Sequence, residues 1–132
     1  MEVEAVESMK KRILVIDDEL QIRLMLRQAI EKAGFEVDDA PDGREGIDCF
    51  KKRRADLIIT DIIMPEKEGI ETIMAFKRID PGVKIIAISG GGRIQSEDYL
   101  NIATKVGASC SFAKPFSIIE LLSKINELLK IQ

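Results

Sequence analysis

The chain has 132 residues, 45% of them hydrophobic and 33% charged, which is typical of one folded soluble domain that buries roughly two-thirds of its unfolded surface. The formal net charge of −3 gives no overall positive field for direct binding of nucleic acid or an anionic membrane. The absence of histidine excludes histidine-based triads and histidine zinc sites.

The first predicted elements are a strand, a helix and a second strand. RILVID, at residues 12–17, is a continuous apolar run that ends in a carboxylate, as in a strand buried on both faces. FEVDDA, at residues 35–40, is a more polar strand and is expected near a sheet edge. The helix between them ends at Gly34 and has apolar residues at helical spacing, which are Ile22, Leu26, Ala29, Ile30 and Ala33.

A turn, a helix and a third strand follow. PDG, at residues 41–43, predicts the turn, and the helix carries Ile47 and Phe50 toward the core. The basic run KKRR, at residues 51–54, complements the negative end of this helix dipole and is expected to be a solvated helix end. DLIITD, at residues 56–61, is a second strongly buried strand that ends in a carboxylate.

The pattern then repeats toward the C-terminus. A helix runs to about Ile79, where DPG breaks it, and VKIIAIS at residues 83–89 is the fourth strand. A helix near residues 96–106 ends at Gly107, and SCSFA at residues 109–113 is the fifth strand.

The last helix has Ser117 as its expected N-cap and an apolar stripe made of Ile118, Leu122, Ile125 and Leu129. Five strands alternate with five helices, and short connections of this kind favour right-handed crossovers and a parallel sheet. The predicted fold is a doubly wound three-layer α/β sandwich. Residues 1–10 are expected to form an N-terminal tail, and residues 11–132 form one domain.

The strongly buried strands all end in polar residues. In a doubly wound sheet, ligands bind beyond the carboxyl ends of the strands. The residues delivered there are Asp17 and Asp18, with Glu19 beside them, then Asp61, Ser89 and Lys114. Carboxylates gathered at one edge repel one another unless a cation joins them, and oxygen ligands favour Mg²⁺.

Each of these residues also has a simpler explanation when taken alone. The acidic run at residues 17–19 could complement a helix N-terminus, Asp61 could form a turn, and Ser89 could cap a helix. Lys114 could extend to solvent from a strand end. None of these explanations accounts for the coincidence of all the sites at one edge of the sheet.

Five sequence stretches carry a resemblance to a known family. ILVIDDE, PDGREGI, DLIITDIIMPEKEG, IIAISG and FAKPF occur in this order over roughly residues 11–131. The chain resembles the receiver domain of two-component response regulators. The resemblance implies a flavodoxin-like sheet of five parallel strands in the order 2-1-3-4-5, flanked by five helices.

The resemblance also implies a role for each site residue. Asp61 is similar to the phosphoacceptor, which receives a phosphoryl group from a histidine kinase, and Ser89 and Lys114 are expected to contact that group. The implied Mg²⁺ ligands are Asp17, Asp18, Asp61 and the backbone carbonyl of Ile63. The peptide bond between Lys114 and Pro115 is expected to be cis, as is common in the family.

The signalling part of the sequence departs from the family pattern. The aromatic residue that usually couples to the site, three positions before the lysine, is replaced by Ser111. Phe112 is one place further on and should point to the other face of the sheet. Helix four, strand five and helix five are still expected to form the partner-binding face, with Ser89, Ser111, Phe112 and Pro115 as its switch residues.

The expected function is a phosphorylation-dependent signalling switch, a signalling protein rather than an enzyme. Its expected partners are a sensor histidine kinase or phosphotransfer protein and a downstream protein. In the family that this chain resembles, two positions influence dephosphorylation, and here they are occupied by Ile63 and Gly91. Neither side chain can orient an attacking water, so a long-lived phosphoform is expected. The alternatives are an excised receiver of a longer regulator, a receiver that binds partners without phosphorylation, and a small phosphatase or phosphotransferase. The last usually has a second aspartate at position 63, where this chain has Ile63.

Location and cysteine chemistry follow from composition. No apolar stretch approaches the roughly 18 residues of a membrane span, and the N-terminal sequence MEVEAVES is acidic, unlike a signal peptide. We therefore expect a cytoplasmic protein with no membrane insertion. Cys49 and Cys110 form no paired motif and are expected to be reduced, buried thiols.

Overall fold

The structure is a computed structural model, and it describes residues 10–62, 68–89 and 95–131. Several sequence-based expectations lie outside these ranges. They concern the tail before Lys10, the carbonyl of Ile63 and the loop containing Gly91.

Strands and helices alternate along the whole described chain. They are β1 (Arg12–Ile16), α1 (Leu20–Lys32), β2 (Glu36–Ala40), α2 (Gly43–Lys52), β3 (Leu57–Asp61), α3 (Glu68–Ile79), β4 (Lys84–Ser89), α4 (Gln95–Val106), β5 (Cys110–Ala113) and α5 (Ile118–Leu128). The predicted order of elements is confirmed, with ends shifted by one or a few residues.

The strands of the described chain form one parallel sheet in the order β2-β1-β3-β4-β5. The fold is the predicted doubly wound, flavodoxin-like α/β sandwich, and the polar strand β2 lies at an edge as expected. The chain proceeds from β1 to β2 in one direction and from there to β3 on the other side of β1. This reversal places a crevice beyond the carboxyl ends of β1 and β3.

Alternating side chains of the buried strands divide the core into two layers. On one face, residues such as Ile13, Val15 and Ile59 pack with α1 and α5. On the other face, residues such as Leu14 and Ile58 pack with α2, α3 and α4. Because β1, β3 and β4 are covered on both faces, they read in the sequence as continuous apolar runs.

Helix ends follow local chemistry that the sequence indicates. The Ser117 hydroxyl accepts a hydrogen bond from the amide of Glu120 at 3.2 Å, which caps α5 as predicted. Asp42, expected only as part of a turn, is the N-cap of α2 and accepts from the amide of Glu45 at 2.8 Å. Gly34 follows α1 with φ +102°, a conformation that glycine adopts without strain.

The two cysteines are free, as expected, but half-buried rather than fully buried. Cys110 lies on β5, and an edge strand has a neighbour on one side only. Burial raises the pKa of both thiols above the ordinary value, which keeps them protonated. None of the helices in the described ranges has the length and apolarity needed to cross a membrane.

Candidate functional site

The carboxyl ends of four strands bring the predicted polar residues to one edge of the sheet. Asp61 is the last residue of β3 and Ser89 the last of β4. Asp17 directly follows β1, and Lys114 directly follows β5. The side chains of Asp17, Asp61 and Ser89 are almost fully buried, which for ionised carboxylates requires a compensating partner.

Lys114 supplies that partner. Its ammonium nitrogen lies 2.9 Å from Oδ2 of Asp17 and 3.2 Å from Oδ2 of Asp61. The contact with Asp61 confirms the expected pairing, whereas the shorter contact with Asp17 was not predicted. The backbone amide of Lys114 also donates to the carbonyl of Ser89 at 2.8 Å, which ties the end of β5 to β4. The Lys114–Pro115 peptide bond is cis, as expected.

The position of Lys114 between two carboxylates changes its acidity. Burial alone would lower the pKa of the ammonium, but the hydrogen bond to Asp17 and the charge of Asp61 outweigh it. The net effect raises the pKa of Lys114 above its ordinary value of 10.5. Lys114 is therefore a permanent positive charge at neutral pH.

Asp17 is held at every polar atom. Its amide donates to the carbonyl of Ala40 at 3.2 Å, and its carboxylate accepts from the amide of Glu19 at 2.8 Å and from Lys114. Its own carbonyl accepts from Nη1 of Arg23 at 2.8 Å. These contacts fix both the backbone and the side chain of Asp17 in one arrangement.

Three consecutive carboxylates form a cluster beside Asp17. Oxygen atoms of Asp17, Asp18 and Glu19 lie within 4.8 Å of one another, and the latter two side chains are exposed. An all-oxygen set that combines one fixed ligand with two solvent-facing ones fits a hard, partly hydrated cation such as Mg²⁺. From the sequence, Glu19 was expected only beside Asp17 and Asp18, whereas the structure includes its carboxylate in the cluster. Its oxygen also lies 3.5 Å from the Lys114 ammonium.

Ser89 has an unused hydrogen-bonding group. Its hydroxyl is buried and has no hydrogen-bond partner within the described part of the chain. A buried hydroxyl without a partner carries a desolvation cost in this state. It is therefore available to a ligand or modification that brings an acceptor to the end of β4.

The two expected switch residues on β5, Ser111 and Phe112, lie on opposite faces of the strand. Phe112 packs against the α1 and α5 layer, and its ring centroid lies 6.2 Å from that of Phe116. Ser111, one position earlier, is half-buried and points to the opposite face by strand alternation. Pro115 is exposed. The aromatic side chain of β5 thus faces away from the layer to which α4 belongs.

Comparisons with known proteins agree with this arrangement. A sequence model described as "Response regulator receiver domain" matches residues 13–126. The chain is 38% identical over 123 residues to "Chemotaxis protein CheY" of Thermotoga maritima, covering 90% of this chain and 100% of that protein. It is 31% identical to "Sporulation initiation phosphotransferase F" of Bacillus subtilis, covering 94% of this chain and 98% of the relative.

Solved structures give the same result. A CheY-like response regulator receiver domain protein from Methanospirillum hungatei superimposes with a TM-score of 0.82 at 30% identity, covering 92% of this chain and 94% of that one. A receiver domain protein from Clostridium thermocellum has a TM-score of 0.82 at 32% identity, covering 91% and 94% of the two chains. The chain therefore belongs to the receiver domain family of response regulators, the phosphorylation-dependent signalling proteins of two-component systems.

Proposed function

We propose that Asp61 accepts a phosphoryl group from a phosphohistidine of a sensor histidine kinase or phosphotransfer protein. The observation that carries this proposal is the buried Asp61 carboxylate at the end of β3, with the Lys114 ammonium 3.2 Å away. A carboxylate oxygen forms the new bond to phosphorus, and the bond from phosphorus to the imidazole nitrogen breaks. The donor histidine leaves with that electron pair.

Lys114 and Ser89 act on the charge of the transferred group. Phosphoryl transfer depends mainly on positioning and on neutralising the phosphoryl oxygens. The ammonium of Lys114 already lies beside Asp61 and is charged at neutral pH, so it is suited to contact those oxygens. The hydroxyl of Ser89 is buried and has no partner in the described part of the chain, so it is suited to donate a hydrogen bond to one of them.

Asp17, Asp18 and Asp61, with the backbone carbonyl of Ile63, are the residues we propose to hold Mg²⁺, and Glu19 adjoins them. The ion would supply positive charge to the phosphoryl oxygens. Within this set, Lys114 and the Glu19 amide hold the carboxylate of Asp17 in place. The side chains of Asp18 and Glu19 are exposed, and that of Glu19 also contacts the Lys114 ammonium at 3.5 Å.

The output of the switch is proposed to pass through the face formed by α4, β5 and α5 to a downstream protein. The link between Lys114 and Ser89 at the ends of β5 and β4 supports this route, since both residues adjoin Asp61 in the site. Ser111 lacks the aromatic ring usual at its position. Movement of Ser89 must therefore act on this face without that ring. The long-lived phosphoform expected from Ile63 and Gly91 stays a prediction.

The proposal is tested by incubating the protein with a small phosphodonor and Mg²⁺ and measuring its intact mass. We expect a gain of one phosphoryl group in the wild type and in Asp48→Asn, which alters an exposed carboxylate on α2. Asp61→Asn should gain none. An unmodified wild type, or equal modification of Asp61→Asn, would contradict the proposal.

A further inference from the structure

We propose that Arg23, on α1, is a positioning residue that holds the Asp17–Asp18 backbone in the arrangement needed for cation binding. The inference rests on the proposed function, because it concerns the Mg²⁺ site of the same switch. The described hydrogen bonds of Arg23 do not include a carboxylate of the acidic cluster formed by residues 17–19. Arg23 acts through a backbone carbonyl.

The contacts of Arg23 join three parts of the fold. Its Nη1 donates to the carbonyl of Asp17 at 2.8 Å, and its Nε donates to Oδ2 of Asp39 on β2 at 3.0 Å. The Arg23 side chain is only 14% exposed. Its guanidinium therefore bridges the edge strand β2 and the connection between β1 and α1.

Asp39 is itself fixed from a second side. Nη1 of Arg27, one helical turn after Arg23, donates to the other carboxylate oxygen of Asp39 at 2.6 Å. Arg27 also pairs with Glu31 at 3.3 Å and makes no described contact with Asp17. The two arginines thus share one carboxylate, but only Arg23 continues from it to the acidic cluster.

The carbonyl that Arg23 holds belongs to the peptide unit between Asp17 and Asp18. Because a peptide unit is planar, fixing its oxygen fixes the orientation of the bond that leads to the Asp18 Cα. The Asp17 side chain has separate anchors in Lys114 and the Glu19 amide. Loss of Arg23 should therefore misplace the exposed Asp18 more than the buried Asp17.

A lysine at position 23 would retain the positive charge but not this geometry. Arginine presents several donors in a rigid planar fork, whereas lysine offers one compact ammonium on a flexible stem. Two contacts from Nη1 and Nε to separate acceptors need that fork. The two possible roles of Arg23 predict opposite changes in Mg²⁺ affinity. If Arg23 positions the backbone, its removal weakens Mg²⁺ binding. If it acts only as a charge, its removal strengthens binding, because a cation near the carboxylates repels Mg²⁺.

The test is calorimetric titration of Mg²⁺ into the full chain for the wild type, Arg23→Lys, Arg23→Gln and Arg27→Gln. We expect both Arg23 variants to bind Mg²⁺ about tenfold more weakly, the usual effect of removing a group that orients a metal ligand. Arg27→Gln removes an equal charge from Asp39 and should retain wild-type affinity. Thermal unfolding in a metal chelator would show that the Arg23 variants remain folded.

Three results would overturn the inference while the wild type still binds Mg²⁺. They are wild-type affinity in both Arg23 variants, tighter binding in Arg23→Gln with no change in Arg23→Lys, and an equal loss in Arg27→Gln. The second result would show that Arg23 acts only through its charge. The third would show that loss of either arginine weakens Mg²⁺ binding through general destabilisation of the fold. A wild type that binds no Mg²⁺ would instead overturn the proposed metal site, and this inference with it.

Discussion

The ammonium of Lys114 lies 3.2 Å from Oδ2 of Asp61, although the two residues are 53 positions apart in the chain. The same ammonium also contacts Asp17, so one cation compensates two buried carboxylates. This sharing makes Lys114 the residue on which the electrostatic balance of the site depends.

Replacing Lys114 with methionine should destabilise the protein. The variant leaves Asp17 and Asp61 buried without their shared cation. We expect this to cost about 2–3 kcal/mol, which is less than for a fully buried ion pair because Lys114 retains some access to water. Mg²⁺ should raise the melting temperature of Lys114→Met more than that of the wild type, since the ion takes over the compensation. Thermal unfolding with and without Mg²⁺ measures both effects.

Lys124→Met is the matched control for this change. Lys124 pairs with Glu127 at 2.7 Å on the exposed face of α5, where an ion pair contributes little. We expect its unfolding to remain close to that of the wild type. Equal melting temperatures for Lys114→Met and Lys124→Met would show that the buried carboxylates do not depend on Lys114.

The stability supplied by Lys114 should persist to high pH. Because the folded state raises the pKa of this ammonium, its contribution is fully present below the ordinary value of 10.5 and is lost as pH rises through the folded-state value. The difference in unfolding free energy between wild type and Lys114→Met should therefore be constant from about pH 7 to 9. This difference in free energy should narrow only above pH 10.5, the ordinary pKa of the lysine ammonium. Urea unfolding across this range measures the difference, and a narrowing already at neutral pH would contradict the raised pKa.

Ser89→Ala should separate stability from signalling. The Ser89 hydroxyl is buried and has no partner among the described residues, so its removal should leave the stability of the unmodified protein unchanged or slightly increased. Phosphorylation of the wild type should change amide hydrogen exchange in β4 and β5, and the variant should lose much of this change. Hydrogen exchange before and after treatment with a phosphodonor measures this response.

Ser117→Ala provides the contrasting serine. Its hydroxyl caps α5, so the variant should lose about 1 kcal/mol of stability and retain the phosphorylation response. A full response in Ser89→Ala would exclude a role for its hydroxyl in the switch.

Gly69→Ala should disturb the site through the backbone. A Cβ at Gly69 would lie 2.5 Å from both the Cα and the carbonyl oxygen of Ile62, the residue after Asp61. Backbone atoms cannot rotate away, so α3 or the end of β3 must shift, at a cost of about 1–3 kcal/mol. We expect slower phosphorylation in the intact-mass assay.

Gly82→Ala is the control for this substitution. The nearest atom to a Cβ at Gly82 is Oδ1 of Asp80, at an ordinary contact distance of 3.6 Å. Its phosphorylation rate and stability should match those of the wild type. If Gly69→Ala is equally neutral, the close approach of α3 to Ile62 does not constrain the phosphoacceptor.

The sequence predicted the sheet and most of the site because both follow from backbone periodicity. β1, β3 and β4 are covered on both faces, so their apolar runs were unambiguous, and each run ended at Asp17, Asp61 or Ser89. Parallel pairing then required these ends to meet at one edge. The position of Phe112 on the face away from Ser111 followed from strand alternation in the same way.

The charged contacts were not predictable by the same reasoning. Long side chains such as Arg23 and Lys114 reach several acceptors, and the choice among them depends on distances between elements that periodicity does not give. The contact of Lys114 with Asp17, and that of Arg23 with the Asp17 carbonyl, are of this kind. The half-burial of Cys110 was missed for a related reason, since the amount of cover over an edge strand depends on helix placement.

The anchoring of Asp17 has a consequence for the entropy of cation binding. A carboxylate that is free to rotate loses conformational entropy when a ligand fixes it, which weakens binding. The Asp17 carboxylate is already held by hydrogen bonds from Lys114 and the Glu19 amide, so it should lose little entropy on binding. In the proposed Mg²⁺ site the ordering cost therefore falls on the exposed Asp18 more than on Asp17, and the affinity depends on how the Asp18 side chain is restrained.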